Sequence, residues 1–92
     1  MGTRRIRDAV RRRRYEFTLH ALEEMDEDDL AEIDVRSVLI RGRRVARMVD
    51  DPRGVRFAVR GPVDRDGRSA EVVCRFLPSG LLRIITAYRV EN

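Results

Sequence analysis

The chain has 92 residues, of which 42% are hydrophobic and 39% charged, with a formal net charge of +4. That length holds one domain with a modest core, which excludes a cofactor fold or a deep enclosed pocket. A single cysteine excludes an internal disulfide, and no apolar run reaches the length of a membrane span or a leader segment, so a cytoplasmic protein with no membrane partner is expected.

All twenty basic residues are arginine, and they are unevenly spread. Residues 1–14 hold seven arginines and one acid, residues 15–34 nine acids and no arginine, and residues 35–92 thirteen arginines and six acids. Arginine presents a planar fork of donors that fits phosphate and stacks on bases, so a nucleic acid or an acidic protein is the natural partner.

In chain order, residues 1–14 read as a basic N-terminal helix or arm, in which Ile6 and Val10 lie four apart and suit a helix over 4–14. Residues 15–92 read as a single α+β domain. Thr18 is a good N-cap for a helix from Leu19 to about Met25, with His20 in its first turn. The run Asp26-Glu27-Asp28-Asp29 lacks the central glycine and spaced ligands of a calcium loop, so no metal site is assigned. Asp34 reads as the cap of a second helix carrying Val35, Val38 and Leu39, ended by Gly42 as a C′ residue.

Beyond Arg43 the period changes to two. Strands are expected over Val45–Val49, Val55–Arg60, Ala70–Phe76 and Leu81–Arg89. Asp51-Pro52-Arg53-Gly54, Gly61-Pro62, Asp66-Gly67 and Pro78-Ser79-Gly80 separate them as turns. Helices followed by strands on short connections give an α+β fold, with the N-terminal helices packed on one face of a four-stranded antiparallel sheet. Alternation on the last strand puts Leu82, Ile84, Thr86 and Tyr88 on the helix side. The opposite face would then carry Arg56, Arg60, Arg75, Arg83 and Arg89, a candidate track for RNA phosphates. Cys74, between Val72 and Phe76, reads as core.

His20 is the lone histidine, the one side chain whose ordinary pKa lies near neutrality, and so the default general base or acid. The competing expectation is a structural ring packed beneath the sheet on a backbone carbonyl.

The segments Tyr15-Glu16-Phe17-Thr18-Leu19-His20-Ala21, Val38-Leu39-Ile40-Arg41-Gly42, Arg56-Phe57-Ala58-Val59-Arg60-Gly61 and Ile84-Ile85-Thr86-Ala87-Tyr88 resemble the bacterial family of domains of unknown function 4258. That family is grouped with small ribonucleases of the barnase, EndoU, colicin and RelE-like toxin kind, helical at the N-terminus with a four-stranded sheet after it. The resemblance implies a metal-independent endoribonuclease that needs no cofactor, the toxin of a pair whose partners are RNA and a cognate antitoxin protein. It matches His20 to the family histidine, Thr86 and Tyr88 to a terminal Thr-x-Tyr motif, and Arg56 to a basic strand position. The chain departs from the pattern at Glu24-Met25, where relatives often carry an arginine before the methionine. In the chemistry so implied, His20, Arg56, Thr86 and Tyr88 are catalytic, and Arg60, Arg75, Arg83 and Arg89 bind RNA. Two readings of another class stay open. One is a non-catalytic nucleic-acid- or protein-binding member of the same fold; the other is a protein-binding module whose acidic helix meets a basic partner.

Overall fold

The computed structural model describes residues 2–49, 52–64 and 67–90. Its elements are α1 (Gly2–Arg11), β1 (Tyr15–Phe17), α2 (Leu19–Glu27), α3 (Glu32–Arg41), β2 (Arg43–Met48), β3 (Arg56–Pro62), β4 (Ser69–Phe76) and β5 (Leu82–Arg89). The sheet has five strands in the order β1-β5-β4-β3-β2. The α+β class holds, but the four-stranded, wholly antiparallel sheet is corrected. β1 is an additional three-residue strand that pairs parallel with β5, Glu16 facing Arg83 in the register. The expected turns at Asp51 and Asp66 involve residues outside those described. Gly61-Pro62 does not break its strand; the pair forms the end of β3, opposite Ala70 and Ser69.

The helices cover one face of the sheet. Ile6, Ala9 and Val10 of α1, Ala21 and Met25 of α2, and Val35, Val38 and Leu39 of α3 share one core with Val59, Val72, Cys74, Leu82, Ile84 and Ala87. The basic N-terminal segment therefore contributes directly to that core. Cys74 is fully buried, and burial pushes its thiol up to about 12, as a core residue should behave.

Local chemistry sets the helix ends. Thr18 caps α2, its Oγ1 accepting from Ala21 N–H at 3.1 Å. The cap of α3 is Ala31 rather than Asp34. Asp34 sits three residues in, where its carboxylate accepts from the Ala31 N–H at 2.8 Å and from the Asp64 N–H at 3.2 Å. Gly42 ends α3 in an extended conformation rather than as a left-handed C′ residue. Glycine is needed there for space: a Cβ would meet the Val38 carbonyl oxygen at 2.4 Å and that of Arg60 at 2.6 Å. Gly61 answers it from β3, where a Cβ would lie 2.5 Å from Gly42 Cα.

One irregularity decides which side chains face the helices. Val73 pairs with Thr86, but Cys74 pairs with Ile84, so Ile85 is an extra residue in β5. This bulge inverts the alternation beyond it. Leu82, Ile84 and Ala87 are all fully buried on the helix side. Thr86 and Tyr88, expected on that side, turn to the open face. Arg89, expected on the open face, turns the other way.

Candidate functional site

The N-terminal turn of α2 is tied to the bulge. The Thr18 N–H donates to the Ile84 carbonyl at 3.0 Å, and its hydroxyl donates to the Ile85 carbonyl at 3.1 Å. His20 stands two residues further on, with its side chain 65% exposed, so it is not a structural ring beneath the sheet. Its Nε2 lies 3.4 Å from Glu24 Oε1, one helical turn away. The same Glu24 oxygen accepts the backbone N–H of Ala87 at 3.1 Å. His20 is thus linked to the Thr86–Tyr88 segment through Glu24, and not by a hydroxyl-to-imidazole hydrogen bond. Four residues on, the Asp28 carboxylate accepts the Arg89 N–H at 2.8 Å. The Arg89 guanidinium donates to the Asp28 carbonyl at 2.7 Å and to that of Asp29 at 3.2 Å. Arg89 is therefore occupied at the negative end of α2 and does not belong to an open phosphate track.

The open face is arranged in cross-strand rows. In one row Arg60, Glu71 and Tyr88 are register partners on β3, β4 and β5. Arg60 Nη2 donates to Glu71 Oε1 at 2.8 Å, and the Tyr88 hydroxyl donates to Glu71 Oε2. Burial pushes the Glu71 carboxyl up, but the hydrogen bonds from Tyr88 and Arg60 and the Arg60 charge outweigh it and hold it below its ordinary value. The hydrogen bond to Glu71, with burial second, pushes the Tyr88 phenol up to about 12. Tyr88 therefore keeps its proton throughout the neutral range. The neighbouring row holds Ala58, Val73 and Thr86.

At the other end of the face the residues are mostly arginine. Arg75 and Arg83 are register partners, and Arg56 precedes Phe57, whose partner is Cys74 beside Arg75. Arg56, Arg75 and Arg83 line an open pocket of about 340 Å³ together with Arg53, Thr18 and Ile85. Arg83 Nε donates to Glu16 Oε2 of β1 at 2.6 Å. Arg75 was expected on a solvated face, yet it is only 6% exposed.

Of the eight residues singled out from the sequence, Arg56, Arg75 and Arg83 come together at the pocket, with His20 two residues beyond its wall residue Thr18. Thr86 lies in the next row, Arg60 and Tyr88 in the row after, and Arg89 is elsewhere. Glu24, noted in the sequence only as a departure from the family pattern, was missed as a partner of His20, and Glu71, Glu16 and Arg53 were missed altogether as site residues. The i, i+4 spacing of His20 and Glu24 was a usable signal for the first of them. The other three depend on strand pairing or on a turn and left none.

Among the described residues no helix is long and apolar enough to cross a membrane. A family model described as Domain of unknown function (DUF4258) matches residues 17–89. Comparison with curated proteins and with solved structures gave no match.

Proposed function

The chain belongs to the family of domains of unknown function 4258, and from that premise we propose that it is a metal-independent endoribonuclease of the RelE, barnase, EndoU and colicin kind, the cytoplasmic toxin of a toxin–antitoxin pair. The observation that carries this reading is the gathering of Arg56, Arg75 and Arg83 at a pocket whose wall includes Thr18, two residues before the exposed His20. Cleaving RNA without a metal requires a base for the 2′-hydroxyl proton, cations for the charge that grows on the phosphate, and an acid for the leaving 5′-oxygen.

In this mechanism the three arginines hold the phosphate. Glu24 faces Nε2 of His20 and favours the tautomer protonated there, which leaves Nδ1 to accept the 2′-hydroxyl proton. The 2′-oxygen attacks phosphorus, the bond to the 5′-oxygen breaks, and the imidazolium returns a proton to that oxygen. The products are a 2′,3′-cyclic phosphate and a 5′-hydroxyl. Thr86 lies between the pocket and Tyr88, within the path of the bound strand, and the Tyr88 ring offers a surface for a base to stack on.

The test is incubation of the pure protein with RNA in EDTA beside His20→Ala. Wild type should leave 2′,3′-cyclic ends, and the variant should cleave at least about a hundredfold more slowly. Equal cleavage by the two would overturn the assignment. The Glu24 carboxylate, committed to the Ala87 N–H where relatives often have an arginine, favours a second reading: a member of the fold that binds RNA and does not cut it. Binding of RNA with no cleavage by wild type would select that reading.

A further inference from the structure

Three polar or charged side chains are buried among the described residues: Asp34, Ser37 and Arg75. Two of them have clear internal partners. Asp34 accepts from the N–H groups of Ala31 and Asp64, and Ser37 donates to the Pro62 carbonyl at 2.7 Å. Arg75 is different. Its Nε and Nη1 are shielded from solvent and have no hydrogen-bond partner. A buried cation without compensation is strongly unfavourable, and buried donors are almost always satisfied. Its surroundings add charge of the same sign, since Arg53, Arg56 and Arg83 line the same pocket. Glu16, the acid that β1 supplies there, is bonded to Arg83.

We propose that Arg75 forms the floor of a phosphate-binding pocket, where the oxygens of one phosphoryl group dock against its fork with Arg56 and Arg83 beside them. A guanidinium fork matches two phosphate oxygens at once, and the cost of burying this one is offset when the anion arrives. The wall residue Thr18 is the N-cap of α2, nine residues long, so the positive end of the helix dipole faces the same space. The inference rests on the endoribonuclease reading only for the source of the phosphate, an RNA backbone diester. A free phosphate or a terminal phosphomonoester has the same chemistry.

The experiment is thermal unfolding of the full chain in sodium phosphate and in sodium chloride at matched ionic strength. Wild type should gain about 5–10 °C when phosphate is near ten times its Kd. Arg75→Met should melt no lower than wild type in chloride, because it removes a buried charge, and should gain nothing from phosphate. Should Arg75→Met fail to fold, titrating phosphate into wild type while following the arginine Nε–H resonances by NMR gives the same answer; Arg75 should shift first. Arg53→Gln, an exposed change at the lip, should weaken the response. A response absent from wild type, or surviving intact in Arg75→Met, overturns the pocket. A dinucleoside monophosphate that competes with inorganic phosphate ties the pocket to RNA. Competition by a 5′-phosphorylated nucleoside alone supports the pocket and removes it from the endoribonuclease reading, so the two fail separately.

Discussion

The two ends of the open sheet face are built from the same residue type and come out opposite. Arg60 lies beside Glu71, which also takes the Tyr88 hydroxyl, and that row is internally neutralised. Four residues along β4, roughly 13 Å away at strand spacing, Arg75 has arginines on both sides and two buried donors without a partner. Whether an arginine is spent on the fold or left for a ligand is decided by what its cross-strand neighbours are. Five arginines counted on one face overstate the binding surface: Arg60 is paired with Glu71, Arg89 has turned inward, and Arg56, Arg75 and Arg83 gather at the pocket, Arg83 with its Nε on Glu16.

Activity gives the largest expected contrast between the two ends. His20→Ala should lower cleavage at least about a hundredfold while keeping its fold, since the ring is exposed. Tyr88→Phe, at the neutralised end, should retain most of the rate. Equal losses in a single-turnover assay would erase the distinction between the ends.

Salt dependence is the next contrast. Replacing Arg56 and Arg83 together by Gln should flatten the plot of log K for single-stranded RNA against log salt by about 1.4 units, whereas Arg60→Gln should change it little. Glu71→Gln sharpens the comparison, because freeing Arg60 should steepen the slope. A fluorescence titration across salt reads all three variants. Below these in size stands Glu24→Ala, which leaves the Ala87 N–H without its acceptor and should cost about 1 kcal/mol in urea unfolding. Glu24→Gln keeps an acceptor and should restore most of that loss.

The last contrast is in pH dependence. Glu71 titrates below its ordinary value, so its contribution to stability is full above the unfolded pKa and is lost as pH falls through the folded one. Tyr88 is raised, so its contribution is full below about 10 and is lost as pH rises toward about 12. Urea unfolding of Tyr88→Phe should show a flatter alkaline limb than wild type between those values. Identical limbs would mean that the Tyr88–Glu71 bond carries no stability.

What could be read in advance was local. The Thr18 cap and the start of α2 follow from one residue and its near neighbours, as does the change of period after Arg43. The start of α3 was misplaced because an aspartate serves a helix end from inside as well as from the cap position. β1 was invisible because three residues carry no periodicity, and its pairing partner lies 67 positions away, Tyr15 beside Leu82. The bulge at Ile85 has no glycine to mark it, and beyond it Ala87 is fully buried on the helix side. The faces of Thr86, Tyr88 and Arg89 all turn on that one residue. The burial of Arg75 was illegible for a related reason: alternation assigns it a face, and only the neighbouring strands determine how much solvent reaches that face.

The carboxylates of α2 have a bearing on how the protein behaves at high concentration. β1 covers β5 only as far as Ile84, so the rest of that strand forms a border of the sheet. Its N–H groups at Ala87 and Arg89 are already taken by Glu24 and Asp28. A strand from another molecule arriving there meets two anions seated where its own carbonyls would need to bond. The acidic helix thus acts as a guard against edge-to-edge aggregation on one side of the sheet, and leaves β2, with Arg43, Arg44 and Arg47 along it, as the border where like charge must do that work.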